Sequence, residues 1–396
     1  MPLDKSTIIR MQQIVNDLHE ELVEFRQDLH RHPELSWEEF RTTAKIREML
    51  ASRGIDNFAT PLPSGGVVDM VFREGAPFIM FRADIDALPI QDKKEVPYRS
   101  QQPGICHACA HDAHTATALG VALAARTLDL PARYNFRFVF QPAEEPIPSG
   151  APKMIEAGVL KDVKYVIGLH MEPRLPLGTV GIAPGWINMS SNRIDLVLRG
   201  TGGHSARPGE TADLLWLASR IILDSYQMVY RRIDLRDSPV ILTFTEIAAG
   251  EGYNIIPGEL KLTGTLRLVN PVKYEQFMHH FRNYLQSIEN ESGCRIDLQV
   301  QNGAPAIYNH PDLMKKLHEN TEKDFWLPVK LNHDFITPGG DDFSYYSKQV
   351  PGAMVRIGVR TDEMTSSLHD GSFDVHPEAI RTAVAYFLHQ LYHLED

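Results

Sequence analysis

Cysteine is scarce: Cys106, Cys109 and Cys294 are the three in 396 residues. So small and odd a number excludes a disulfide scaffold and fits reduced thiols in a reducing compartment. Long apolar runs are missing too. Nothing approaches the roughly 18 residues of a membrane span, and the polar start from Met1 to Asn16 lacks the apolar stretch of a signal peptide. A cytoplasmic protein is expected. Positive charge is not in excess: 40 Lys plus Arg face 51 Asp plus Glu, a formal charge of -11. That balance disfavours nucleic acid and anionic membranes as partners and leaves small solutes. Repeats, low-complexity tracts and long charge runs are also absent.

What is present is a globular composition, 43% hydrophobic and 23% charged, in a chain too long for one ordinary core. Two domains are expected. Ile14, Leu18, Leu22, Phe25 and Leu29 recur at helical spacing and predict a first helix over 8–31, ended by His32-Pro33. Ser36 followed by Glu39 predicts a capping box before a second helix that runs to Ser52. Apolar strands at 66–72, 78–81, 134–140 and 165–169 alternate with helical stretches, among them an alanine-rich one at 111–126. That alternation predicts an α/β domain with a largely parallel sheet, which binds ligands beyond the carboxyl ends of its strands.

After Pro184-Gly185 the order becomes βαββαβ: strands at 193–199, 240–247, 259–268 and 295–300, helices at 212–230 and 272–291. This is a split-βαβ, ferredoxin-like unit of α+β type, small enough to be an insertion. A strand at 353–359 and a helix at 377–394 resume the first domain. The expected boundaries are 1–187 and 305–396 for a discontinuous catalytic domain, and 188–304 for an inserted lid and dimerisation domain.

Five short segments concentrate metal-binding side chains at predicted strand ends or loops: 106–112 (CHACAHD), 141–145 (QPAEE), 168–170 (GLH), 339–342 (GGDD) and 367–370 (SLHD). Imidazole and carboxylate suit Zn, Mn, Co and Ni, and a thiolate disfavours Mg and Ca. Taken singly, each segment is a weak signal. A Cys-x-x-Cys alone also fits a non-catalytic metal or redox protein.

Their order is more specific. Arg82-Ala83-Asp84-Ile85-Asp86-Ala87-Leu88-Pro89, then residues 107–114, then Gln141-Pro142-Ala143-Glu144-Glu145, then Gly202-Gly203-His204 resembles the aminoacylase and carboxypeptidase superfamily of two-metal hydrolases. The branch it is most similar to holds the hippurate hydrolases and indole-3-acetyl-amino-acid hydrolases. The resemblance runs from Arg26 to His369 and implies a zinc-peptidase-like catalytic domain carrying two divalent transition-metal ions per subunit. It implies Cys109, His111, Glu145, His170 and His369 as ligands, Cys109 bridging the ions, and Glu144 as general base. Neighbouring carboxylates can divide the work in this way, because successive side chains at a strand end diverge. His204 would stabilise the oxyanion in a partner subunit's site. Asn254 and Arg267 match substrate-facing positions, and Arg207 competes with Arg267 as the clamp for a substrate carboxylate. Asp112 either orients a ligand or favours the start of its helix, and His114 is expected to be a supporting residue.

The implied reaction cleaves an N-acyl-L-amino acid to a carboxylate and a free amino acid, in a homodimer or higher homo-oligomer. A metallo-carboxypeptidase or dipeptidase is the alternative. Four departures from the family pattern stand out: Ala110 for glycine, Pro146-Ile147-Pro148-Ser149 for a glycine-rich run, Gly209 for histidine and Asp341 for glutamate. They bear on specificity, since none removes an implied ligand or the base.

Overall fold

The computed structural model describes residues 4–128, 133–236 and 239–394. The chain forms two compact units, one of Met1–Ile187, Tyr308–Ile336 and Asp342–Asp396, the other of Asn188–Ile307 and Thr337–Asp341. Each has its own hydrophobic core.

In the first unit seven strands form one sheet in the order Gly66–Met70, Asn135–Gln141, Phe78–Asp84, Val163–Pro176, Gly352–Arg360, Thr179–Gly181, Lys330–Asn332. The pairs that Phe78–Asp84 makes on both sides, and the pair of Val163–Pro176 with Gly352–Arg360, are parallel. Antiparallel pairing enters at Gly66–Met70 and at Thr179–Gly181. The expected α/β class with a largely parallel sheet is therefore found.

The helix His111–Leu128 is buried on nearly every face, and from Ala118 to Ala125 it carries no polar side chain. It packs against the helices Lys5–Arg31 and Pro377–His393. Gly120 permits this approach: a Cβ there would lie 2.5 Å from Leu22 Cδ1 and 2.8 Å from Val384 Cγ2.

The expected capping box is a correction. The helix Phe40–Ser52 has Glu39 at its N-cap position and no side-chain cap. Ser36 Oγ donates instead to Asp86 Oδ2 at 2.7 Å, and Glu39 accepts from Ser64 Oγ at 2.6 Å and from the amide of Ala143 at 2.8 Å. Partners remote in sequence outcompete the local cap. The strand expected over 165–169 runs from Val163 to Pro176.

The second unit holds four antiparallel strands in the order Arg295–Asn302, Asn192–Arg199, Glu259–Leu268, Val240–Ala249. With the helices Leu214–Arg232 and Pro271–Ser292 this is the βαββαβ arrangement. Alternate residues of Asn192–Arg199 and Glu259–Leu268 are buried, the period expected of a sheet covered on one face. Among the described residues no helix is long and apolar enough to cross a membrane.

One buried group of the first unit makes folding sensitive to acid. Both ring nitrogens of His389 are buried and lack a hydrogen-bond partner among the described residues. The ring stacks on His393 with centroids 3.9 Å apart and lies beside Phe325 and Trp326. Burial, then the neighbouring His393, pushes its pKa down to about 3. The unfolded chain therefore takes up a proton near pH 6.5 that the folded chain refuses, and stability falls as pH drops from about 6.5 toward 3. From pH 6.5 to 4.5 this one group should cost about 2–3 kcal/mol. Urea midpoints across that range should fall less steeply for His389→Phe than for the wild type, and parallel curves would disprove the assignment.

Candidate metal centre

The parallel sheet lines up the side chains that carry the chemistry. Register pairs Asp84 with Gln141 and Arg82 with Gly168, so His170, two residues on, emerges level with Asp84. Glu144 and Glu145 follow the end of their strand, and Cys109 sits in the turn that opens the helix beginning at His111. Ala110 in that turn has φ +68°, a left-handed conformation that glycine adopts without cost. His369 also has a positive φ, +64°, and its amide donates to Ala108 O at 2.8 Å, which fastens the C-terminal segment to the cysteine turn. Strained backbone of this kind gathers where a side chain must be aimed.

Ligand atoms of Cys109, His111 and Glu145 lie within 4.8 Å of one another. His170 joins through Nε2, 3.6 Å from Cys109 Sγ, and His369 through Nε2, 3.4 Å from Glu145 Oε1. Backbone carbonyls set two tautomers. His111 Nδ1 lies 2.9 Å from Asp86 O and 3.1 Å from Asp86 Oδ1, and His170 Nδ1 lies 2.7 Å from Met171 O. A carbonyl only accepts, so both Nδ1 atoms donate and both Nε2 atoms turn toward the cluster. Fixing the far nitrogen of a metal-binding imidazole is the usual supporting device.

His111 Nε2 and Glu145 Oε1 are buried without a hydrogen-bond partner among the described residues. Each such atom costs about 1–3 kcal/mol if nothing satisfies it. A cation would satisfy both at once, and thiolate, imidazole and carboxylate together suit a transition metal. The donor set fits.

Electrostatics agree. Burial works against charge on His111, but Asp84 and then Cys109 overcome it and push its pKa well up. The same negative surroundings favour a metal ion in place of that proton. Burial, then Arg356, holds His170 well below the usual histidine range, so it stays a neutral ligand. Burial, then Glu145, pushes the Cys109 thiol far up, and a bound cation reverses this by stabilising the thiolate.

Glu144 groups with Asp341 and Asp342 instead, and its Oε1 accepts from the amide of Asp342 at 3.3 Å. Cys106 belongs to none of the metal-competent clusters among the described residues. Burial pushes its thiol up to about 11, against the opposing pull of Lys94.

Sequence reasoning assigned no role to Asp84 and Asp86. Asp86 holds two candidate ligands, His111 through Oδ1 and its carbonyl, and the amide of Glu145 through Oδ2 at 3.2 Å. Asp84 Oδ1 accepts from His114 Nδ1 at 2.6 Å, and His114 Nε2 accepts the amide of Met171 at 2.9 Å. The available signal was a pair of carboxylates two residues apart at the end of an apolar strand. Asp112 accepts from Arg26 Nε at 2.7 Å, faces His30 Nδ1 at 2.6 Å and caps Ala113 in its own helix. None of these partners is a candidate ligand.

The other candidates belong to the second unit. His204 pairs with Ile255 in a short bridge, and its Nδ1 accepts the amide of Ala206 at 3.1 Å. Asn254 O receives the amide of Ser205 at 3.0 Å. Arg207 is exposed, with Glu210 3.8 Å away, and shares with His204 an open concavity lined by residues of the 201–211 loop. Arg267 lies apart on the strand Glu259–Leu268, and its Nη1 donates to Pro338 O at 3.4 Å.

Comparison with known proteins places these observations. The model of peptidase family M20/M25/M40 matches residues 80–393. The chain is 35% identical over 370 residues to the N-acetylcysteine deacetylase of Bacillus subtilis strain 168, covering 93% of this chain and 95% of that protein. It is 33% identical over 365 residues to an N-acetyldiaminopimelate deacetylase of Exiguobacterium sibiricum, covering 90% and 95%. Among solved structures it is similar to the YxeP protein of Bacillus subtilis, a dinuclear metal-binding peptidase from the M20 family, with a TM-score of 0.83, 31% identity and coverage of 95% and 98%.

Proposed function

Because the chain belongs to peptidase family M20/M25/M40, we propose that it is a metal-dependent amidohydrolase that cleaves N-acyl-L-amino acids to a carboxylate and a free amino acid. The observation that carries this reading is the cluster of thiol, imidazole and carboxylate with buried polar atoms that lack a hydrogen-bond partner among the described residues, next to a second carboxylate, Glu144, held by the amide of Asp342. Cys109, His111, Glu145, His170 and His369 would hold two divalent ions of Zn, Mn, Co or Ni. When bound, such ions supply Lewis acidity, which polarises the amide carbonyl and makes water acidic enough to ionise near neutral pH.

The protein's own residues do the remainder. Glu144 removes the proton from the attacking water and returns it to the leaving nitrogen, so one carboxylate acts first as base and then as acid. Asp86 and Met171 O keep the His111 and His170 rings turned so that each presents its Nε2 to the cluster. His204 stabilises the oxyanion from a partner subunit, with Asn254 and Arg267 or Arg207 toward the substrate, an arginine fork pairing both oxygens of its carboxylate.

Relatives named as deacetylases of acetylated amino acids make N-acetyl amino acids the first substrates to try. In a panel of N-acetyl, N-benzoyl and aminoacyl amino acids, the acyl compounds should exceed the dipeptides in kcat/KM by at least about tenfold, a gap of ~1.4 kcal/mol in transition-state stabilisation. A reversed ranking would favour the dipeptidase or carboxypeptidase alternative.

A homodimer is part of the same proposal. Ile241 and Ile247 on the edge strand Val240–Ala249, and Leu223 and Tyr230 on the helix Leu214–Arg232, are exposed apolar side chains. An uncovered strand edge carrying apolar groups suits pairing with a second copy. Sedimentation at micromolar concentration should give twice the mass of one chain. A monomer would remove His204 from any role across subunits.

A further inference from the structure

Between the ligand side of the site and Glu144 runs a buried polar chain that nothing above employs. Arg82 is fully buried and forks in three directions: Nη1 to Asp84 Oδ2 at 2.6 Å, Nε to Gln141 Oε1 at 2.9 Å, and Nη2 to Asp342 Oδ1. Asp342 is buried too, and both of its carboxylate oxygens are engaged. Gln141 Nε2 donates to Oδ1 at 3.0 Å and to Oδ2 at 2.8 Å, and the amide of Ala151 donates to Oδ2 at 3.0 Å. An aspartate held on all sides has a fixed backbone, and its amide is the donor that reaches Glu144 Oε1 at 3.3 Å.

We infer that Asp342, locked by Arg82 and Gln141, is a positioning residue for Glu144: its backbone amide holds one carboxylate oxygen and so fixes the direction in which the carboxylate is aimed. The inference rests on the reading of Glu144 as base. Its chemistry is simple. A free glutamate visits several rotamers, and a base must stand within hydrogen-bond reach of the proton it takes. One fixed donor on one oxygen selects the productive orientation, and a misplacement of about 1 Å can cost up to a hundredfold in rate. Charge serves the same end, since two aspartates share one buried guanidinium, whose planar fork lysine cannot reproduce.

The test is a double-mutant cycle on the metal-loaded enzyme, combined with a measurement that needs no turnover. Asp342→Asn keeps the shape but turns a donor toward Gln141 Nε2 or the amide of Ala151, which shifts the loop. It should lower kcat by about ten- to a hundredfold, with KM and metal content unchanged. In a Glu144→Gln background the same substitution should lower the residual rate by less than about twofold, because the group it acts through is gone. An equal loss in both backgrounds, or loss of metal, would overturn the proposal. Arg82→Lys should follow the same pattern and serves if Asp342→Asn does not accumulate.

The second arm labels aspartate with nitrogen-15 in metal-free protein at one pH. Replacing Glu144 by Gln exchanges a charged acceptor for a neutral one. The amide proton of Asp342, identified by its loss in Asp342→Asn, should move upfield more than any other aspartate amide. An unmoved resonance would refute the contact. Failure of the wild type to hydrolyse any N-acyl amino acid would count against the proposed function alone, since this arm still decides the placement of Glu144.

Discussion

Stripping the protein with a strong chelator is expected to reduce N-acyl amino acid hydrolysis to background, and adding Zn, Mn, Co or Ni should restore it. The reason lies in the donors. With the cluster empty of cations, His111 Nε2 and Glu145 Oε1 are buried without a hydrogen-bond partner among the described residues, and the Cys109 thiol is forced into its protonated form by burial and Glu145. None of these groups can activate water by itself. Mg and Ca should restore little, because a thiolate and imidazoles are poor partners for hard cations. The check is turnover against metal content per chain. Full activity at a metal content near zero would refute a metal-dependent mechanism. Chelation should also lower the thermal midpoint, since a metal bound only to the folded chain stabilises it by mass action.

Glu144→Gln should lose about two to four orders of magnitude in kcat, the usual contribution of a positioned general base. The substitution keeps the size of the side chain and its ability to accept the Asp342 amide, so fold and metal content should be unchanged. Two other outcomes would be informative. Near-normal turnover would put the base elsewhere, and loss of metal would make Glu144 a ligand. The distinction from Glu145 is geometric: Glu145 is the member of the pair that shares a cluster with Cys109 and His111, while Glu144 Oε1 accepts the amide of Asp342.

Much of this protein could be read directly from its residues. The family, the α/β class with a largely parallel sheet and the βαββαβ order of the inserted strands and helices follow from apolar periodicity and from the order of short motifs. Both are properties of contiguous sequence. The helix His111–Leu128 is an example, since its alanine-rich run marks a helix over 111–126. Strand Glu259–Leu268 was likewise legible to its last residue, because the alternation of buried and less buried positions breaks at Val269.

The tertiary structure decided what depends on partners far away along the chain. Ser36 and Glu39 have the spacing of a capping box, yet Asp86, Ser64 and Ala143 take their hydrogen bonds. Local spacing cannot reveal a competitor brought up by folding. For the same reason the sequence left Asp84, Asp86, Arg82 and Asp342 without roles: their importance is that Asp86 fixes the tautomer of His111 and that Arg82 joins Asp84 to Asp342. The left-handed φ of Ala110 and His369 is equally invisible, because neither residue type advertises it. Sequence alone determined which kinds of donor were available and in what order they occur. Which nitrogen donates to the backbone, which buried oxygen lacks a partner and which carboxylate of an adjacent pair joins the cluster were settled only by the packing that surrounds each atom, because hydrogen bonds and burial act through space and not along the chain.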